Sequence, residues 1–341
     1  MGKIRRRKFF IIPADFEFKL IMNSLSKIVG KFSKQNICVI GDLMADYYIF
    51  GDTNRISPEA PMPVVLVKEE KMVPGGASNV AANVAALGGR VTIIGLIGED
   101  SAGKELVEEL RKRKINTAGV ISNDRHPTIQ KFRVIARGQQ LVRYDKEISK
   151  PISKILEQKI LKFIKDNIQN WDAIVISDYA KGLFNEFLAK NLIATARKHK
   201  KPVVSDPKFK NFSFFKGSSM IAPNKSEVEM IMEKPMLKRR DLELAGKYLS
   251  KKFNSNILIT LGPEGMILFE NKKSFYFPSR AKEIFDVTGA GDTVMSGLAL
   301  SLASGATLKQ AAQIANSAAG IVVGKIGTAT VSSSELINSL L

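Results

Sequence analysis

The feature that most constrains the fold is an alternation of short apolar runs with longer stretches of helical period, beginning at Ile37. Residues 37–40, 91–96, 173–177, 202–205 and 257–261 are short, largely apolar runs. Such runs suit strands buried on both faces. The spacing predicts helices at about 77–87, 102–112, 152–168, 185–198, 225–232 and 239–251. Two small-residue helices follow at about 290–304 and 307–323. Strands that alternate with helices pair in parallel and carry helices on both faces, so the fold class is α/β with a doubly wound, mainly parallel sheet.

Two places break the rhythm. Residues 63–68 are extended and partly alternating, and 128–136 and 140–145 flank Arg137-Gly138 as a hairpin would. They predict a small β-rich lid, with strands near 54–70 and 126–146, attached to one body spanning 35–341. Residues 1–34 differ in character. Nine Lys/Arg stand there against Asp15 and Glu17, and the apolar run 9–12 is too short for the core of a signal peptide. This basic extension is expected to be poorly ordered, and Met22 is an alternative start.

Composition excludes several classes. The one cysteine, Cys38, rules out an internal disulfide and a Cys-cluster zinc site, and two histidines, His126 and His199, argue against a His-based metal site. Cys38 lies inside an apolar strand, where a small buried hydrophobe is expected in a reducing, cytoplasmic setting. No apolar run approaches the roughly 20 residues of a membrane span. The net charge of +19 raises the alternative of a nucleic-acid or anionic-surface binder. No basic stripe interleaved with aromatics accompanies it, so a solvated Lys-rich surface is favoured, with no nucleic acid and no membrane as partner.

The segment that carries chemistry is Phe285-Asp286-Val287-Thr288-Gly289-Ala290-Gly291-Asp292-Thr293. Gly289, Ala290 and Gly291 stand at the start of an apolar helix, where free N–H groups and the positive end of the helix dipole suit a phosphate or a phosphoryl group in transfer. Asp292 beside them is either a proton acceptor for an attacking hydroxyl or a helix cap. No Walker A motif and no Gly-x-Gly-x-x-Gly after the first strand compete for the phosphate.

These residues resemble a known family. Asp286 through Asp292 is similar to the second signature of the ribokinase/PfkB carbohydrate kinases, and Gly75-Gly76-Ala77-Ser78-Asn79-Val80-Ala81 to the first, which lines the sugar. Gly41 through Asp46 resembles the end of the family's first strand, where an Asp holds sugar hydroxyls. Asn224-Lys225-Ser226-Glu227 resembles its Asn-x-x-Glu motif, and Thr260-Leu261-Gly262-Pro263-Glu264-Gly265 its nucleotide loop. The resemblance runs in order from about 36 to 335 and implies a ribokinase-like fold and an ATP-dependent sugar kinase with Asp292 as base. It implies sugar contacts from Asp46, Gly75, Gly76 and Asn79, and ATP contacts from Asn224, Lys225, Ser226, Glu227, Thr260, Gly262, Gly265 and Asn316. Mg²⁺ would be supported by Glu227 through water, and K⁺ would lie near Asp286 and Thr288. Lid strands of relatives often pair across a homodimer.

One branch fits best, the kinases of D-glycero-β-D-manno-heptose 7-phosphate. Its marks are Arg55-Ile56-Ser57-Pro58-Glu59-Ala60-Pro61, Pro127-Thr128-Ile129-Gln130-Lys131, Gln139-Gln140-Leu141-Val142-Arg143, Ser177-Asp178-Tyr179-Ala180-Lys181-Gly182, Asp206-Pro207-Lys208 and the stretch 318–328. That branch implies phosphorylation at C1, on the route to ADP-heptose for lipopolysaccharide core. The sugar's own phosphate needs cations, and Arg55, Lys131, Arg133, Arg143 and Lys181 are the candidates. Many such kinases are fused to an adenylyltransferase. No His-x-Gly-His stretch is present, so a separate adenylyltransferase is the expected partner downstream.

Overall fold

The computed structural model describes residues 14–281, 283–325 and 327–341. In the first half of the chain α1 (Ala14–Val29), β1 (Asn36–Gly41), β2 (Leu43–Ile56), β3 (Pro63–Gly76), α2 (Ala77–Ala86), β4 (Arg90–Gly98), α3 (Ser101–Lys112), β5 (Asn116–Asn123), β6 (Ile129–Ala136) and β7 (Gln139–Lys146) follow one another. Then come α4 (Lys154–Asn167), β8 (Ala173–Ser177), α5 (Glu186–Lys198), β9 (Val203–Asp206), β10 (Met220–Ile221), α6 (Lys225–Met232) and α7 (Arg239–Phe253). The chain closes with β11 (Asn256–Thr260), β12 (Met266–Glu270), β13 (Lys273–Phe277), α8 (Ala290–Ala303), α9 (Leu308–Val322) and α10 (Ser333–Leu340).

The body is a nine-stranded sheet in the order β13-β12-β11-β10-β9-β8-β1-β4-β5. From β5 to β11 all neighbours are parallel, and β12 and β13 add an antiparallel edge. The strands are the apolar runs of the sequence because both faces are covered. One core packs β1, β4 and β8 residues such as Ile37, Val39, Ile93 and Val175 against α2, α8 and α9. Another packs Cys38, Ile40, Ile174 and Ile176 against α4 and α5. Cys38 is fully buried, and burial pushes its thiol well up from the ordinary range. No described helix is long and apolar enough to cross a membrane.

The lid is a separate four-stranded sheet, β3-β2-β6-β7. The hairpin expected around Arg137-Gly138 is β6–β7. Its neighbour differs from expectation. Only the first residue of Gly41–Asp46 lies at the end of the first strand. β1 stops at Gly41, and Leu43–Ile56 is a long lid strand, antiparallel to β3 and parallel to β6. The chain leaves the body at Asp42 and returns at Ala77, whose N–H donates to the Asp42 carbonyl at 3.0 Å.

The extension needs a correction. Residues 1–13 lie outside the described residues, but 14–29 form α1. Met22, Leu25, Ile28, Val29 and Phe32 are buried in the main core. Their spacing of three and four is that of one helix face, and α1 packs on α8 and α10. The Lys/Arg run that precedes this stripe hid it at the level of composition.

Candidate active site

The C-terminal ends of β8, β9 and β11 and the N-terminus of α8 surround a cavity of about 160 Å³. It is lined by Tyr179, Asp206, Lys208, Asn224, Glu227, Thr260, Gly289, Gly291 and Asp292, among others. Ligands of open α/β sheets bind at this end of the strands, because the loops there are free to vary while the sheet is not.

Gly289 is the N-cap of α8, with φ 78°. A side chain there would be strained, and its Cβ would lie 2.8 Å from Asn79 Nδ2. Gly291 faces open space, and its N–H is one of the first-turn donors that a helix leaves without a carbonyl. Ala290 departs from expectation. Its N–H donates to Val287 O at 3.2 Å and so closes a turn instead of facing the cavity.

Asp292 is buried, with one oxygen 2.6 Å from Asn79 Nδ2 and the other 3.3 Å from the Tyr179 hydroxyl. Burial pushes its carboxyl up to about 6, and the donors Asn79 and Tyr179 hold it from going higher. A carboxylate poised near neutrality is suited to take a proton from a hydroxyl. It does not cap the helix with its side chain, because no side-chain cap hydrogen bond exists at α8. Asn79 was expected on the sugar. Its amide is taken up here by Asp292 and by Asn83, and so orients the Asp292 carboxylate.

Three cavity residues were not among the sequence's site candidates. The Tyr179 hydroxyl is pushed well up, by burial and then by Asp292, and stays a neutral donor at ordinary pH. Lys208 sits 5.3 Å over the Tyr179 ring and 2.8 Å from Glu227 Oε1. Burial opposes the charge on Lys208, but Asp206 and Glu227 outweigh it and raise the ammonium above its usual value. Burial, then Glu227, pushes Asp206 up to about 7. These residues follow β8 and β9 and lie about 80–115 positions before Asp292. Their signal was present only as stretches of resemblance.

The loop that carries Tyr179 is fixed by carboxylates. Asp42 accepts from the N–H of Tyr179 at 2.8 Å and of Lys181 at 3.2 Å, and Asp178 from that of Ala180 at 2.9 Å. Burial, then Asp178, pushes Asp42 up to about 7. Ala180 holds φ 56°, a conformation that a non-glycine residue keeps only where surrounding bonds over-determine it.

Of the expected nucleotide residues, Asn224 and Glu227 form a reciprocal capping box on α6, at 2.9 Å each way, and both line the cavity with Thr260. Gly262 and Gly265 shape the turn after β11, where Leu261 N–H donates to Gly265 O at 2.8 Å. Lys225 and Ser226 do not line the cavity, and Asn316 is buried in α9 with its amide on Pro278 O at 2.7 Å. Asp286 accepts from the N–H groups of Thr288 at 2.8 Å and Gly327 at 3.1 Å. Burial works to raise this carboxyl, but those donors hold it below its usual value.

On the lid, alternation puts Asp46, Tyr48, Lys131, Arg133, Arg143 and Asp145 on one face. Arg133 lies 3.3 Å from Asp46, Lys131 3.0 Å from Asp145, and Arg143 grips Asp145 through two nitrogens. Lys181 of the body pairs with Glu147. Four of the five expected cations are thus brought to one region, each already held by a carboxylate, while Arg55 is exposed near the end of β2. Asp46 Oδ1 and Arg133 Nη1 are buried with no hydrogen-bond partner among the described residues, which leaves them open to a polar ligand or to water. Gly75 and Gly76 do not offer side chains to it. A Cβ at Gly75 would stand 2.7 Å from Asp46 Cγ, so Gly75 is what lets that carboxylate lie against β3.

Fold and site together define a phosphotransferase: a glycine-lined helix N-terminus for a phosphoryl group, a buried carboxylate beside it, and a polar lid across from both. The chain belongs to the pfkB family of carbohydrate kinases, whose model matches residues 34–335, and this makes it an ATP-dependent sugar kinase. It is 41% identical over 303 residues to the bifunctional protein HldE of Helicobacter pylori strain J99, covering 89% of this chain and 65% of that protein. It is 42% identical over 312 residues to the HldE of Histophilus somni, covering 91% and 65%. The chain therefore spans just under two thirds of the length of these relatives. Among solved structures, Arabidopsis thaliana ribokinase complexed with ribose and ATP superposes with a TM-score of 0.72 at 18% identity, covering 90% of this chain and 98% of that one. Phosphofructokinase-2 from Escherichia coli in complex with potassium gives 0.74 at 18%, covering 90% and 97%. Both share the ribokinase-like fold.

Proposed function

We propose that the chain transfers the γ-phosphoryl group of ATP to the C1 hydroxyl of D-glycero-β-D-manno-heptose 7-phosphate, giving the 1,7-bisphosphate on the route to ADP-heptose for lipopolysaccharide core. The observation that carries the chemistry is the Asp292 carboxylate, buried, oriented by Asn79 and Tyr179, and placed in the first turn of α8. Asp292 takes the hydroxyl proton as the oxygen attacks. The N–H groups of Gly289 and Gly291, with the α8 dipole, hold the charge of the phosphoryl group. Among the described residues that line the cavity Lys208 is the one lysine or arginine, and it offsets negative charge on the nucleotide.

Support for the substrate is twofold. Five segments and the 318–328 stretch resemble the heptose 7-phosphate kinases, and Lys131, Arg133, Arg143 and Lys181 gather where the lid meets the body. Asp206 and Glu227 offer hard oxygen atoms in the cavity. No group of three or more potential ligands occurs among the described residues. Such a donor set fits Mg²⁺ that takes most of its ligands from phosphate and water. Bound Mg²⁺ would neutralise phosphate charge. K⁺ near Asp286 and Thr288 belongs to the same reading, and activity in K⁺ against Na⁺ tests it. Ile56, Leu66, Val67, Val142 and Tyr144 leave the lid with exposed apolar surface, which supports a homodimer. The single buried cysteine suits the cytoplasm.

A panel of sugars and sugar phosphates with ADP release as readout tests the substrate. The heptose 7-phosphate should give the highest kcat/KM. A higher value on ribose, a fructose phosphate or a nucleoside would replace it.

A further inference from the structure

Where the lid meets the body, one carboxylate holds two lysines. Glu147, just beyond β7, accepts from Lys181 Nζ of the 178–182 loop on Oε1, while its Oε2 lies 3.6 Å from Lys131 Nζ of β6. The side chains of Lys131, Lys181 and Glu147 are 11%, 19% and 25% exposed. Glu147 Oε2 is buried and makes no hydrogen bond. An ionised oxygen left in that condition costs free energy.

The neighbouring carboxylates are fixed in other ways. Asp145 receives Arg143 through two nitrogens and Lys131 as well, and these partners take its carboxyl down to about 2 against the effect of burial. Asp46 is built into β2. Glu147 has neither advantage. It lies on 147–150, a stretch with no regular structure, and its side chain opens to solvent on one side. The region holds four cations, Lys131, Arg133, Arg143 and Lys181, against three carboxylates, Asp46, Asp145 and Glu147. Withdrawing Glu147 leaves two positive charges in excess, with two ammonium groups facing one gap. A phosphomonoester dianion matches that gap in charge and in its oxygen acceptors.

We infer that the Glu147 carboxylate stands, in this state, where a phosphate group of the sugar substrate binds, and that Lys131 and Lys181 take that phosphate when Glu147 swings out. The inference rests on the reading of the substrate as a sugar phosphate. Lys131 comes from the lid and Lys181 from the body, so the phosphate takes over the bridge between them that Glu147 makes in this state. Lys131 also pairs in register with Asp46, so adjacent lid strands present a partner for a hydroxyl and a partner for the phosphate. A sugar without the phosphate cannot replace Glu147 and leaves the internal pair in place. Glu147 is thus a specificity-determining residue that sets a threshold for substrate charge.

The test uses the full chain, with ADP release measured on heptose 7-phosphate and on unphosphorylated heptose, and with inorganic phosphate as a competing probe. Wild type should prefer the phosphorylated sugar by about two orders of magnitude in kcat/KM, two charged contacts at roughly tenfold each. Lys131→Met and Lys181→Met should each remove about tenfold of that preference, mainly through KM, and Lys131→Arg should keep most of it. Glu147→Gln should make inorganic phosphate inhibit at about tenfold lower concentration. Melting curves identify any variant that fails to fold, and Lys131→Arg and Glu147→Gln keep the test open if Lys131→Met does. If wild type shows the preference and both Met variants retain it, the phosphate binds elsewhere and only this inference falls. If phosphate inhibits Glu147→Gln no better than wild type, displacement of Glu147 is overturned. A wild type with no preference overturns both this inference and the sugar-phosphate reading.

Discussion

The cavity at the strand ends and the face of the lid are both polar, but they are held in opposite ways. At the cavity, the groups proposed to meet the phosphoryl group are set by backbone, Gly289 and Gly291 by the start of α8, and Tyr179, which orients Asp292, lies on a loop whose N–H groups are tied to Asp42 and Asp178. Across from it, the lid presents side chains paired with one another, several of them part-exposed and some with buried polar atoms left over. Backbone cannot be exchanged for a ligand without local unfolding, whereas an ion pair can. On the proposed reading the phosphoryl group is met by a preorganised surface, and the sugar by one that trades internal partners for external ones.

Asp292→Asn should break the comparison hardest, with kcat lowered by about two to four orders of magnitude. The same change should raise the unfolding midpoint at pH 7. Burial lifts the Asp292 carboxyl from 3.8 to about 6. Its ionisation thus opposes folding, and its contribution to stability is full below about pH 4 and lost as pH rises through about 6. An unchanged turnover, or a lower midpoint at pH 7, would count against a strained base. Gly75→Ala ranks next. It drives a methyl group into Asp46 and should cost about tenfold to a hundredfold in kcat/KM, a loss of roughly 1.4–2.7 kcal/mol. A wild-type value would show that Asp46 is free to move, and would place the lid's rigidity in doubt.

Tyr179→Phe is a finer probe. The hydroxyl favours the ionised base, so its loss should move the acid limb of the kcat/KM profile, near pH 6 in wild type, to higher pH. A profile that falls in height without shifting would make Tyr179 a packing residue only. The smallest effect belongs to Arg143→Met. That guanidinium is 46% exposed on its partner Asp145, so stability should drop by no more than about 1 kcal/mol. A larger drop by chemical denaturation would mean that the lid's ion pairs are structural and not exchangeable.

Much of the body was legible because parallel strands buried on both faces read as unbroken apolar runs. Residues 173–177 and 225–232 fall on β8 and α6 as the pattern has them. β2 was not legible. Its first six residues are buried, the next five half-buried and the last three exposed, so neither a buried run nor a clean alternation marks it. Asp46 consequently looked like a strand-end residue of the body. Asp292 could be read locally because its helix and its glycines are contiguous with it. Tyr179 and Lys208 could not, because the cavity joins loops after β8 and β9 to α8 across the sheet, and periodicity carries no information about that distance. α1 was obscured by the charge of the segment before it.

Ala77 N–H on Asp42 O brings the exit and return of the β2–β3 hairpin to a single point. Topologically that hairpin is a side excursion from a βα connection. Its tip, residues 57–62, is a place where an inserted peptide, a trimmed loop or the new ends of a circular permutant should leave the nine-strand order intact.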